Sequence, residues 1–386
     1  MNVLSRITNR FLTWHLKPTD TQNYDVLDGL RGLAILLVLA CHLVYVNPKS
    51  NVYVNFIGGI FAAGSCGVTL FFCLSGYLVS LPFWKRKWLG KTPVIPQGYG
   101  QRRFFKIYPP LALSILLLTP VYVYMSHDPS LFIPAVEWLF GIPVFVPVDG
   151  RLNSVMWSLI VEVQFYILLP IVMLLFRNIS MRKSIWIIPL VFALVGVCSR
   201  YIFLLCGDHL SFTPRMNIPL FSDMDFFTMG VFFAGLYSMG FITKPWAKIG
   251  NVGLLIFFIM LPIISYLTLN QPLSLIQAET VSLILKIAFG CMLFFIVDAG
   301  RYASQLLCNP LLRWFGIISY EWYLFHQPIF SWIRSALGPA NGSILTYLLI
   351  VGGSFLTSLI LAALVYKYFS LPILKYGRIR HKLMDN

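Results

Sequence analysis

Asp28-Gly29-Leu30-Arg31-Gly32 leads into nine apolar residues, Leu33 to Cys41, and then His42. Arg31 opens this hydrocarbon run and His42 interrupts it near its far end. A histidine inside a membrane-type segment is costly unless it has a partner or a task. At helical rise, the eleven steps from Arg31 to His42 span ~16 Å. With Arg31 at one interface, the imidazole lies about halfway through a ~30 Å hydrocarbon layer. A surface cation and an imidazole at depth are the geometry that the remaining sequence has to explain.

The 386 residues are 58% hydrophobic and 11% charged, with mean hydropathy +0.78, whereas soluble domains carry about 25% charge. The chain reads as an all-α polytopic membrane protein whose spans leave no room for a separate soluble domain. The net charge of +15 and pI of 9.6 would point to nucleic acid in a soluble protein. Here lysine and arginine gathering at cytoplasmic helix ends accounts for the charge, and no nucleic-acid partner is expected. The seven cysteines show no CxxC or Cys/His spacing, so no metal is expected. No cleavable leader is read. Leu4, Ile7, Phe11 and Trp14 share a helical face opposite Arg6 and Arg10, which fits a short helix on the cytoplasmic surface.

Windows of ~20 apolar residues give ten expected spans, near 30–47, 57–83, 107–126, 154–176, 184–206, 222–241, 250–269, 278–298, 314–334 and 344–369. The second is rich in glycine (Gly58, Gly59, Gly64, Gly67, Gly76). The piece 131–146, broken by Pro134 and Pro143, reads as dipping or interfacial. With the N-terminus in the cytoplasm, 23 of the 29 lysines and arginines fall on cytoplasmic segments, which places both termini there.

The 84–106 loop is the most basic segment. Lys85 to Lys91 are read as topology signals or as lipid contacts. Arg102, Arg103 and Lys106 stand at the mouth of the third span, where helical positions i, i+1 and i+4 form a cationic patch suited to phosphate. No GxxxxGK[ST] supports Walker-type nucleotide binding. In the fourth span, Glu162 lies about two turns below the non-cytoplasmic surface. It serves either as a helix-packing hydrogen bond or as the partner of a base or substrate hydroxyl. His326, in the ninth span, is about as deep as His42 and serves either as a structural group or as a second base. Ser75 brings a hydroxyl to similar depth in the second span.

These residues also carry a family resemblance. Arg31 and His42 form R-x10-H, and Phe71 to Tyr77 resembles FFxLSGF. Arg102-Arg103 with Ile107-Tyr108-Pro109 resembles a third-span basic motif. Trp157 to Tyr166 resembles WSLxxExxFY, and Ile318 to His326 resembles iSYxxYLxH. Together they resemble the acyltransferase-3 family of integral membrane O-acyltransferases, over about residues 24–376. Residues 1–23 are then an interfacial segment and 377–386 a basic cytoplasmic tail. The resemblance implies a ten-helix enzyme of the bacterial inner membrane. It would move an acyl group, such as acetyl, from cytoplasmic acyl-CoA to a hydroxyl of a glycan or other envelope acceptor. It implies essential roles for Arg31 and His42 and importance for the third-span basic residues and Glu162. Of the motif residues, Ser75, Trp157, Ser158 and Tyr323 are taken as substrate contacts.

Two departures stand out. Lys106 replaces a frequent arginine, and Ser370 replaces a frequent glutamate ahead of Pro372. Some relatives carry a C-terminal hydrolase-like domain, which the sequence does not show after its last span; a second catalytic step would need a partner.

The chemistry converges on one scheme. The phosphorylated head of CoA would sit on Arg102, Arg103, Lys106 and Arg31. The pantetheine arm would run inward to His42, the general base, and Glu162 would hold the imidazole or the acceptor. His326 is the third catalytic candidate, and an acyl-His42 intermediate is the variant mechanism. The rival readings are a transporter with a buried His/Glu relay, or a subunit that carries acyl groups for a separate transferase. Variable loops 127–153, 207–221 and 335–343 are expected to choose the acceptor. Acceptor identity, acyl length and oligomeric state are not legible in the sequence.

Overall fold

The computed structural model describes residues 22–43, 61, 63–92, 94–145, 152–206, 221, 223–270, 275–338 and 344–384. The expected surface helix in the first 21 residues, most of the 207–221 loop and parts of the other two expected acceptor loops lie outside them. The described residues are all-helical, with no strand among them. Seven helices there are long and apolar enough to cross a membrane: Ala63–Trp88, Tyr99–Ser126, Ser154–Leu175, Met181–Ile202, Lys244–Ile264, Glu279–Ile296 and Leu345–Gly377. Large apolar side chains stand exposed along them, including Trp186, Leu255 and Leu356, as a surface solvated by lipid requires.

The remaining three expected spans take other forms. The first is helix α1 (Gln22–Leu43), and its expected end at 44–47 lies outside the described residues. The sixth is realised in the 3-10 turn Met224–Phe227 and the 11-residue helix α7 (Thr228–Ser238). At helical rise α7 covers only ~16 Å. The ninth is split at Ile318 into α11 (Pro310–Ile317) and α12 (Ser319–Leu337). Glu321, His326 and Arg334 make α12 more polar than a simple span.

The chain divides into two units. The first comprises Met1–Tyr77 and Leu236–Tyr320; the second comprises Leu78–Gly235 and Glu321–Asn386. In the first, α1 is held by backbone-to-backbone packing at glycines. A Cβ at Gly29 would fall 1.9 Å from the Leu307 carbonyl oxygen, at the end of α10 (Gly300–Leu307). One at Gly32 would fall 2.0 Å from that of Leu312, and one at Gly316 only 1.8 Å from that of Asp28. On another flank of α1, Gly64 and Gly67 meet the carbonyl oxygens of Leu37 and Ala34 in the same way, beside and at the start of α2 (Cys66–Trp88). The glycines of DGLRG, and Gly64 and Gly67 of the second span, are thus explained by small-residue helix contact. The Asp25–Arg313 ion pair ties the start of α1 to α11. Helices α8 (Lys248–Asn270) and α9 (Leu275–Met292) close similarly, Gly253 lying against the Ala288 carbonyl.

The second unit contains α3 (Tyr99–Ser126), α4 (Phe132–Leu139), α5 (Trp157–Leu175), α6 (Met181–Cys206), α13 (Ile344–Val365) and α14 (Leu371–Met384), with most of α7 and α12. Helix α3 begins eight residues before the expected 107, so Arg102, Arg103 and Lys106 lie within its first turns. Lys87, at the end of α2, donates to the carbonyls of Phe176, Arg177 and Ile179 at 2.8, 3.0 and 2.8 Å. It thereby caps the C-terminus of α5, whose last carbonyls have no partner within the helix.

Residues 132–145, beginning with α4, fold back along α3. Tyr108 donates to the Leu139 carbonyl at 2.6 Å. Gln164 donates to the Val144 carbonyl at 2.9 Å and accepts from the Phe221 amide at 3.1 Å. Irregular backbone at membrane depth needs such protein partners. Arg200 grips Asp225 with a two-pronged ion pair, at 2.7 and 2.9 Å. Ser370 is buried at the end of a π-helical turn, Tyr366–Ser370, and its hydroxyl has no hydrogen-bond partner.

Candidate active site

In the first unit, Arg31 leaves α1 on the side facing the start of α12. Its Nη2 donates to Ser319 Oγ at 3.4 Å, and Ser319 in turn donates to the Gly316 carbonyl at 2.8 Å. The serine of the fifth motif is therefore joined to the arginine of the first. Eleven residues on, His42 Nδ1 lies 2.9 Å from the Val38 carbonyl. A carbonyl can only accept, so Nδ1 carries the proton and the lone pair is on Nε2. His42 is partly exposed. Ser75, in α2, is half-buried.

In the second unit, the three basic residues make different contacts. Neighbours on a helix point about 100° apart. Arg102 is exposed and donates to the Gln97 carbonyl at 2.5 Å. Arg103 turns inward, with its guanidinium carbon 5.5 Å from the centre of the Tyr166 ring. Lys106, at i+4 from Arg102, is half-buried. The Tyr166 hydroxyl donates to Glu162 Oε1, and the Tyr166 carbonyl accepts from Tyr99 at 3.0 Å. Arg103, Tyr166 and Glu162 thus form one chain of contacts.

Beside that chain, Ser158 donates to the Tyr323 hydroxyl at 2.8 Å, and Tyr323 donates to the Val155 carbonyl at 2.8 Å. Asn153 adds a bond to the Leu324 carbonyl at 3.0 Å, fastening α5 to α12. The Tyr323 ring centre is 5.6 Å from that of His326. His326 is wholly buried, and its Nδ1 lies 2.8 Å from the Tyr323 carbonyl, which assigns it the same tautomer as His42. Trp157 opens α5 half-buried. The structure therefore brings Ser158, Tyr323 and His326 together at the α5–α12 contact, and it ties Glu162 to Tyr166, against which Arg103 packs.

Two functional-looking partners escaped the sequence reading. Tyr166 follows Glu162 by four residues, a spacing that places both on one helical face, so it was findable. Ser319 is 288 residues from Arg31, and nothing local announces their contact.

The described residues form apolar helices that carry the buried imidazole of His326, the partly exposed imidazole of His42 and the carboxylate of Glu162, and the comparisons supply the family. The chain belongs to the acyltransferase-3 family: a family model described as an acyltransferase domain matches residues 24–363. A peptidoglycan O-acetyltransferase, OatA, of Listeria monocytogenes is 24% identical over 92% of this chain and 56% of its own length. A Staphylococcus aureus protein provisionally named an O-acetyltransferase is 24% identical over 91% of this chain and 57% of its own. Acyltransferase MdmB of Streptomyces mycarofaciens is 31% identical over 42% of each chain. The chain spans little more than half the length of the first two relatives. No solved structure matches.

Proposed function

We propose that the protein moves an acyl group from cytoplasmic acyl-CoA to a hydroxyl of a glycan or other envelope acceptor, across ten spans of the inner membrane. The observation that carries this reading is His42. It is partly exposed, fixed by its Nδ1–H bond to Val38, and presents a basic Nε2 ~16 Å along α1 from Arg31. In the proposed step the acceptor oxygen attacks the thioester carbonyl while its proton passes to His42 Nε2. The C–S bond then breaks, and the departing CoA sulfur takes that proton back. Arg102 and Lys106 hold the CoA phosphates. Glu162, oriented by Tyr166, holds the acceptor. Wholly buried, His326 orients the α5–α12 contact.

Both termini are assigned to the cytoplasm. Several contacts support that topology, because each joins two segments that it puts on the cytoplasmic side. Asp25 pairs with Arg313, Lys87 caps residues 176–179, and Phe105 lies edge-on to Tyr376 with ring centres 6.3 Å apart. Purified protein incubated with labelled acetyl-CoA and candidate hydroxyl acceptors tests the reading. Transfer of label to an acceptor is expected, whereas CoA binding without transfer would favour an acyl-carrier role.

A further inference from the structure

The second unit contains a cleft of about 190 Å³ between α3, α5 and the folded-back segment that begins with α4. Its walls include Arg103, Ile107 and Leu111 from α3, Leu159 and Val163 from α5, and Trp138 from α4. Arg103 supplies the cation in this lining, and the rest is hydrocarbon and aromatic apart from the Tyr108 hydroxyl, which is bonded to Leu139. The Nε of Arg103 is buried and has no hydrogen-bond partner. The cleft has Arg103 in its wall, and a guanidinium beside hydrocarbon favours an anionic oxygen as its partner.

The apolar lining begins one turn from the guanidinium and continues to Leu111, eight residues or ~12 Å along α3. An occupant must therefore bear its negative charge within a few atoms of its hydrocarbon. Acyl-CoA does not fit that description, because a polar pantetheine arm with two amides separates its phosphates from its acyl chain. A lipid phosphate does. The volume, below the ~300 Å³ of typical small-molecule pockets, suits part of one chain. We infer that this cleft is a binding site for a membrane lipid phosphate, its phosphate on Arg103 and one chain against Ile107, Leu111 and Val163. The proposal does not rest on the transferase reading, although Arg103 also packs against Tyr166 of the candidate active site.

The test uses the full-length protein in neutral detergent and reads Trp138, in the cleft wall, by fluorescence quenching with 11,12-dibromododecyl phosphate. The Trp138→Phe variant defines the signal from that residue. Quenching of Trp138 by the phosphate at tenfold or more lower concentration than by dibromododecanol is expected. Arg103→Gln should abolish that preference, Arg103→Lys should keep part of it, and Val163→Phe should weaken both probes. If Arg103→Gln does not fold, the wild-type preference and the Arg103→Lys variant decide. Equal quenching by alcohol and phosphate would overturn the site. So would displacement by inorganic phosphate alone, which marks a free-anion site, or by stoichiometric octanoyl-CoA, which assigns the cleft to the donor. Acetyl-CoA binding, measured on the same protein, reports on the transferase reading separately.

Discussion

Arg103 lies with its guanidinium carbon 5.5 Å from the centre of the Tyr166 ring, while the hydroxyl of that ring donates to Glu162. One tyrosine thus couples a cation to a carboxylate through two parts of its side chain. Tyr166→Phe retains the ring and removes the hydrogen bond. A hydrogen bond to a charged group is worth about 1.5–3 kcal/mol, so acceptor transfer should fall roughly 10- to 100-fold with little change in thermal stability. An unchanged rate in the purified variant would show that Glu162 does not depend on Tyr166.

His42→Ala should lower acyl transfer by about 10²–10⁴-fold, the usual cost of losing a general base, and leave acyl-CoA binding nearly intact. His326→Ala should instead lower the unfolding temperature more than it lowers the rate per folded molecule, because it empties a wholly buried position in α12. Rates and melting curves on the same preparations distinguish the two. A His42→Ala protein retaining more than about a tenth of the wild-type rate would shift the base assignment to His326.

Arg102→Ala combined with Lys106→Ala should weaken acyl-CoA binding by at least tenfold, from charge-assisted contacts of about 1.5–3 kcal/mol each. Titration calorimetry with acetyl-CoA measures this directly. Equal affinity in a variant that melts with the wild type would remove the CoA head from this end of α3.

Gly316→Ala should destabilise the protein, because its methyl would land 1.8 Å from the Asp28 carbonyl oxygen and the two helices would have to separate. Overpacking of this kind costs about 1–3 kcal/mol. Gly352→Ala, at a site in α13 with nothing within 4 Å, should be neutral or stabilising by up to about 1 kcal/mol. Paired thermal melts should give opposite signs, and equal shifts would argue against the α1–α11 contact.

A reporter fused after Asn386 should be active in the cytoplasm and silent outside. The opposite result would invert the topology on which the proposed donor side rests.

The helical membrane class was legible in composition and in apolar runs, because a segment that crosses hydrocarbon must satisfy its own backbone and must be apolar over its length. Most span positions followed for the same reason. Pro134 and Pro143 marked the segment that holds them as no simple span, but its return along α3 was not legible. His42 and Glu162 stood out because polar groups in such runs are costly. The outcome for the sixth and ninth expected spans was not legible. A 20-residue window averages over the short α7 and over the break at Ile318, and helix ends are set by contacts that a window does not contain. The tertiary structure alone gave Arg103 its contact with Tyr166 while Arg102 reaches the Gln97 carbonyl, since two adjacent arginines in a sequence look alike until the neighbouring helix is placed. It alone joined Arg31 to Ser319 across 288 residues and gave the glycines of DGLRG their reason, the bare backbone of α11 and the end of α10 pressed against them. Periodicity and composition are properties of one segment, whereas these contacts are properties of two, and only packing decides which two meet.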